Sequence, residues 1–165
     1  MKMELIQPFV NAADAVLAEM LECNPTLDKL TMEQEAYRRK GVAARVMVKG
    51  QIEGRIIFDV DSDTALRIAS RLTGVELTAS DELVRETVCE LANQVIGNAI
   101  TTLNDQGCHF HVHPPELHDD EHGAKSNEDT EVLVMSFGTP CGKVYMNIAM
   151  HYLRRRRGEM AAAGA

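Results

Sequence analysis

At 165 residues, with 45% apolar and 25% charged side chains, the chain can bury one sizeable core and has the balance of an ordinary globular protein. Its formal charge of −8 excludes nucleic acid as the main partner, because binding to phosphates requires a net basic face. No apolar run reaches bilayer-spanning length, the N-terminal segment is acidic and helical in period, and the 4 cysteines form no C-x-x-C pair, so a cytoplasmic protein with reduced thiols is expected. Residues 3–22 read as a first helix, with Leu5, Ile6, Phe9, Val10, Ala13, Val16, Leu17, Met20 and Leu21 at i, i+3, i+4 spacing and Pro8 tolerated if it falls in the first turn. Asn24-Pro25 ends that helix, and residues 27–37 carry a weak strand pattern. Val42, Ala44, Val46 and Val48, then Ile52, Ile56, Phe58 and Val60, alternate with polar residues around Gly50, which predicts an antiparallel hairpin with one buried face.

Asp61 or Ser62 is expected to cap a short helix through Thr73, with Ala65, Leu66, Ala69 and Leu72 inward and Gly74 as its stop. Residues 78–81 resemble a capping box for a long helix over 80–106. Three strand-like runs follow, over 108–113, 131–138 and 143–152, with the last two forming a second hairpin. The acidic stretch 116–130 between the first two reads as a mobile loop. This order predicts an α/β fold with pseudo-repeated halves: a mainly antiparallel sheet and two long helices packed on one face. One domain is expected over 1–153, followed by a disordered basic and small-residue tail over 154–165.

The long helix is the most informative element. At about 100° per residue, Val84, Val88, Leu91, Val95 and Ala99 fall on one side, while Glu86, Glu90, Asn93 and Gly97 gather on the opposite side. A glycine in mid-helix costs about 1 kcal/mol relative to Ala, so close approach of another molecule is a reason for Gly97. Glu90 and Asn93 are neighbours on the helix surface. A carboxamide is no strong base, but it can hold a water in line. That suffices where the leaving group is already good, as a carboxylate is in an acyl phosphate.

The run Glu90-Leu-Ala-Asn93-Gln-Val-Ile-Gly97-Asn98 resembles the E-x-x-N-x-x-x-G-N signature of the CheX branch of the CheC/CheX/FliY phosphatases. Pro8-Phe9-Val-Asn-Ala, the Gly50-x-x-x-Gly54 hairpin leading to Phe58, and Leu72-Thr-Gly74 extend the likeness over most of the chain. The resemblance implies an enzyme that hydrolyses the phospho-aspartate of a CheY-type response regulator in chemotaxis. It implies that Asn93 orients the attacking water, that Glu90 pairs with the lysine at the regulator's active site, and that the partner's backbone comes close at Gly97. The Mg2+ of this chemistry is expected in the regulator, so the chain should need no cofactor or metal of its own. A homodimer joined through sheet edges is implied by the same likeness.

Two positions depart from the family pattern. Glu86 stands where Asp or Ser is usual, and the family's proline after the Asn has two candidates here, Pro114 and Pro115. The first helix has only Glu4-x-x-Gln7 ahead of Pro8, so one active site per chain is expected. A non-catalytic adaptor that docks a regulator or motor component is the alternative reading. Other features compete less well. His109, His111 and His113 share a strand face, with His118 and His122 nearby; a polar sheet face explains them more simply than a zinc or nickel site. Arg154 to Arg157 read as a solvated terminus rather than a lipid or nucleic-acid contact.

Overall fold

The computed structural model describes residues 3–33, 38–118 and 130–152. The 154–165 tail, the arginine block within it, residues 34–37 and the bulk of the acidic stretch (119–129, including His122) lie outside the described residues. Three helices and seven strands follow in the order α1 (Met3–Leu21), β1 (Thr26–Glu33), β2 (Val42–Gly50), β3 (Ile52–Val60), α2 (Ser62–Thr73), α3 (Glu82–Asp105), β4 (Phe110–Val112), β5 (Glu116–Leu117), β6 (Thr130–Thr139) and β7 (Gly142–Tyr152). The strands make one antiparallel sheet in the order β1-β6-β7-β3-β2-β4, with β5 also on β2.

The order shows how the two halves interlock. Each half contributes a helix, an outer strand and a hairpin. The hairpins meet along β3 and β7, where Ile56 faces Ile148 and Phe58 faces Met146. Each outer strand then pairs with the other half's hairpin, β1 with β6 and β4 with β2. Among the described residues α2 has no counterpart in the second half. The pseudo-repeat expected from the sequence is therefore an exchange of outer strands about the β3–β7 pair.

The main core lies between sheet and helices. Ala44, Val46 and Val48 of β2, Ile56, Phe58 and Val60 of β3, Leu133, Met135 and Phe137 of β6, and Val144, Met146 and Ile148 of β7 pack with the apolar sides of the helices. Period-2 alternation delivers all of them to one face. The second face is not simply polar: Ala43, Ile57, Val132, Val134 and Ala149 are buried there too. Asp59, one of the polar residues that alternate with the apolar ones in the first hairpin, is fully buried; its two carboxylate oxygens accept the backbone N–H groups of Lys40, at 2.6 Å, and Gly41, at 3.2 Å. A carboxylate can be buried when backbone donors replace its water.

Several local expectations shift. Pro8 is the sixth residue of α1, beyond the first turn, so the Glu4 carbonyl lacks its helical N–H partner; both Pro8 and Phe9 are buried. β1 forms over Thr26–Glu33 despite its weak pattern, because ladder hydrogen bonds to β6 rather than burial hold it. The acidic stretch does not begin as a loop: Glu116 and Leu117 pair with β2, and the His118 side chain is buried. The long helix starts at Glu82 rather than Ser80. Its N-cap is Asp81, whose carboxylate accepts the Leu83 N–H at 3.1 Å, while the Thr78 carbonyl only closes the preceding turn. The short helix is capped by Asp61 and stopped by Gly74 at φ 71°, as expected.

The Asp61 carboxylate accepts the Thr64 N–H at 2.9 Å and the Thr64 hydroxyl at 2.8 Å, and these bonds, the backbone one foremost, hold it below the ordinary carboxylate range. Its folded-state pKa thus lies below the unfolded value, so its contribution is present above the ordinary range and is lost as pH falls through the folded value. Replacing Asp61 by Ala should cost about 1 kcal/mol of unfolding free energy at neutral pH in a urea titration. The gap from wild type should close in strong acid; a gap that does not change with pH would contradict this origin.

Candidate functional site

α3 is buried over more of its circumference than its sequence stripe requires. Beyond Val84, Val88, Leu91, Val95 and Ala99, the side chains of Ala92, Ile96, Ile100 and Leu103 are also buried. The reason is that α3 meets β2 and β3 of the sheet and both other helices, α1 more extensively than α2. The side left in solvent carries Glu86, Glu90, Asn93 and, half-exposed, Gly97, with Leu83, Gln94, Asn98 and Thr101 exposed beside them. Glu90 and Asn93 therefore face outward.

The second wall comes from the chain's return path. At the end of α3 the Asn104 side chain grips β4 in both directions: its Oδ1 accepts the Phe110 N–H at 2.9 Å and its Nδ2 donates to the Phe110 carbonyl at 3.4 Å. β4 then runs along β2, and the His113 N–H bonds to the Met47 carbonyl at 3.0 Å. This lays Val112, His113, Pro114 and Pro115 beside α3. The result is a cleft of about 550 Å³ lined by Glu86, Cys89, Glu90 and Asn93 on one wall and those four residues on the other. Glu86, Glu90, Asn93, Pro114 and Pro115 are thus brought together. Gly97 lies one turn further along the ridge, outside the cleft lining.

Sequence reasoning passed over four contributors. Cys89 and Val112 are ordinary apolar neighbours with no local signal. His113 was weighed only as a metal ligand, although its place next to the two prolines marks the same turn. Gln94 donates from Nε2 to Glu90 Oε1 at 3.0 Å, an i, i+4 contact that its spacing alone could have suggested. This bond leaves the second oxygen of Glu90 able to accept from another molecule. Neither Glu86 nor Glu90 has an ion-pair partner, and the Asn93 carboxamide makes no hydrogen bond, among the described residues. The ridge therefore offers negative charge and an amide with unused donors and acceptors.

Burial pushes the Cys89 thiol above its ordinary value, so it is held in the protonated form and is a poor nucleophile. Among the described residues no three His, Cys, Asp or Glu side chains converge as a metal would require; His109, His111 and His113 stand exposed along the strand. No described helix is long and apolar enough to cross a membrane.

A seven-stranded antiparallel sheet of interlocked halves with its helices is the CheC-like α/β fold. A CheC-like superfamily protein from Shewanella sp. PV-4 shares it with a TM-score of 0.79 at 23% identity, over 92% of this chain and 99% of that one. The family model for the chemotaxis phosphatase CheX matches residues 42–138. The chain belongs to the CheX family of chemotaxis phosphatases. It is 24% identical to the CheY-P phosphatase CheX of Thermotoga maritima over 118 residues, 71% of this chain and 76% of that protein. It is 34% identical to a chain of the CheX-CheY-BeF3-Mg2+ complex from Borrelia burgdorferi, with a TM-score of 0.68 over 91% of this chain and 99% of that one.

A Cβ placed on Gly97 would meet nothing within 4 Å, so the fold itself has no use for the missing side chain. Gly97→Ala should raise the unfolding free energy by about 0.8 kcal/mol and the Tm by about 2–4 °C for a chain of this size. A loss of stability in calorimetry would show that the notch serves the chain's own packing.

Proposed function

We propose that the protein is a single-domain, cytoplasmic phosphatase that hydrolyses the phospho-aspartate of a CheY-type response regulator. The observation that carries this reading is the exposed pair Glu90 and Asn93 on a rigid helix, in a chain of the CheX family. The cleft is formed by a ridge and a strand edge, which suits reaching into another protein better than enclosing a small substrate. Asn93 accepts a hydrogen bond from the attacking water through Oδ1 and so turns an oxygen lone pair toward phosphorus. The water oxygen forms the new P–O bond, the bond from phosphorus to the aspartyl oxygen breaks, the carboxylate leaves with the electron pair, and the water proton passes to phosphate or solvent. Glu90, steadied by Gln94, pairs with the lysine at the regulator's active site through its remaining oxygen. Magnesium would be the regulator's, where its charge would neutralise the phosphoryl oxygens; among the described residues of this chain no three His, Cys, Asp or Glu side chains converge to hold it. Glu86, Pro114 and Pro115 contact the docked regulator, and Gly97 lets its backbone come close.

The test is phosphate release from a phosphorylated CheY-type regulator with Mg2+. Wild type should accelerate it, and Asn93→Ala should lose about 10²-fold or more of that gain while still binding the regulator and keeping its circular dichroism. Undiminished activity in Asn93→Ala would refute the role. Gly97→Ala, more stable but obstructed, should raise KM.

The chain is further proposed to form a homodimer through the edge of β1. Leu27, Leu30 and Met32 are 43%, 38% and 52% exposed on the side of the sheet that carries the core, and β1 has no second neighbour among the described strands. Leu30→Lys with Met32→Lys should yield a monomer by sedimentation. Activity per chain should persist, because β4 and the cleft lie at the opposite edge. A dimer that survives both changes would place the interface elsewhere.

A further inference from the structure

A second cavity, of about 430 Å³, adjoins the cleft and has the opposite charge. Its lining includes Arg39, Lys40, Ser62, Arg85, Leu117 and His118. The two cavities share the same two segments: Glu86 and Pro115 line the first, Arg85 and Leu117 the second. At about 100° per residue Arg85 sits about 80° around α3 from Asn93, on the flank that faces β5. Three cationic side chains round one hollow are conspicuous in a chain of net charge −8.

The commitments of these groups differ. The Lys40 ammonium lies over the Tyr145 ring, 4.9 Å from its centroid, and its backbone N–H is given to Asp59. Arg39 has an interaction partner of its own. The half-buried Arg85 guanidinium has neither hydrogen bond nor ion pair among the described residues, even with Glu82 one turn back on the same helix. Two carboxylates at the helix starts, among the described residues, are already committed: Asp61 caps α2 and Asp81 caps α3. Glu116, on the strand alongside, pairs with Arg45 at 3.4 Å. A fork of unused guanidinium donors beside a site is suited to a carboxylate.

We propose that this hollow is a second foothold for the same regulator, with Arg85 receiving a carboxylate from the acidic rim around the regulator's phosphorylated aspartate. The inference rests on the phosphatase reading above. Magnesium is held by hard oxygen ligands, carboxylates foremost, so the reacting edge of such a regulator carries acidic groups besides its lysine. A surface with Glu90 on one side and Arg85 on the other matches that edge in only one orientation. The foothold therefore sets register and encounter rate, and Arg85 acts on docking rather than on the reacting atoms.

The experiment compares the full chain with Arg85→Glu, Arg85→Gln and Arg71→Glu, the last making the same charge change at an exposed position on α2. Arg85→Glu should raise KM for the phosphorylated regulator about 10-fold at low salt, with kcat within about 2-fold, and the effect should shrink at high salt. Arg85→Gln should fall between, and Arg71→Glu should match wild type. A KM change in Arg85→Glu no larger than in Arg71→Glu overturns the proposal, as does a fall in kcat at unchanged KM. Thermal protection by inorganic phosphate that Arg85→Glu abolishes, without any KM effect, would also overturn it, in favour of a small-anion site. If wild type fails to accelerate phosphate release, the phosphatase reading fails by itself. Arg85→Glu should then still weaken direct binding of the regulator in titration calorimetry, and equal binding would end the foothold as well. Circular dichroism of the two Arg85 variants separates a docking effect from a folding one.

Discussion

Everything at the site depends on how firmly α3 is held. Its apolar side chains pack on β2 and β3 and against α1 and α2, which leaves the opposite side of the helix in water. A helix held this way cannot rotate or fray without opening the core. Buried aliphatic side chains contribute about 1.5–3 kcal/mol each relative to exposure, so the orientation of the ridge is set by far more free energy than any single polar contact supplies. That rigidity is what an amide needs if it is to hold a water in line. The activation gained by positioning survives only while the geometry does.

The cleft illustrates how a modest set of hydrogen bonds converts that ridge into a site. Asn104 ties the end of α3 to β4, and the ladder to β2 carries the chain back past the middle of the helix. Two consecutive prolines then stiffen the turn that faces Glu90 and Asn93. The acidic ridge and the cationic hollow beside Arg85 come from neighbouring residues on these same two segments. Opposite charges side by side give a surface that can reject misaligned partners as well as attract the aligned one.

The exchange of outer strands has a consequence for the two edges of the sheet. β4 and β5 cover the β2 edge and build the site there. β1, at the far edge, has no second neighbour among the described strands, and its apolar residues Leu27, Leu30 and Met32 stand exposed. An edge of that kind is a ready template for pairing with another chain. The cleft and the β1 edge proposed for association thus lie at opposite ends of one sheet.

Much of this was legible in the residues alone. The 3.6-residue period of α1 and α3, the alternation in both hairpins, the cap at Asp61 and the stop at Gly74 are local signals, written by side-chain spacing and backbone preference. The outward ridge of Glu86, Glu90, Asn93 and Gly97 followed from the same arithmetic. Tertiary structure decided what depends on contacts between distant segments. Asp59 is buried because two backbone N–H groups from before β2 reach it. β1 exists because β6 offers a ladder, and β5 because β2 has a free edge. Cys89, Val112 and His113 line the cleft only because Asn104 and the β2 ladder return the chain to α3. Periodicity reports which side of an element avoids water; which other elements supply the shelter, and what they bring beside the exposed side, is set by pairings far apart in sequence.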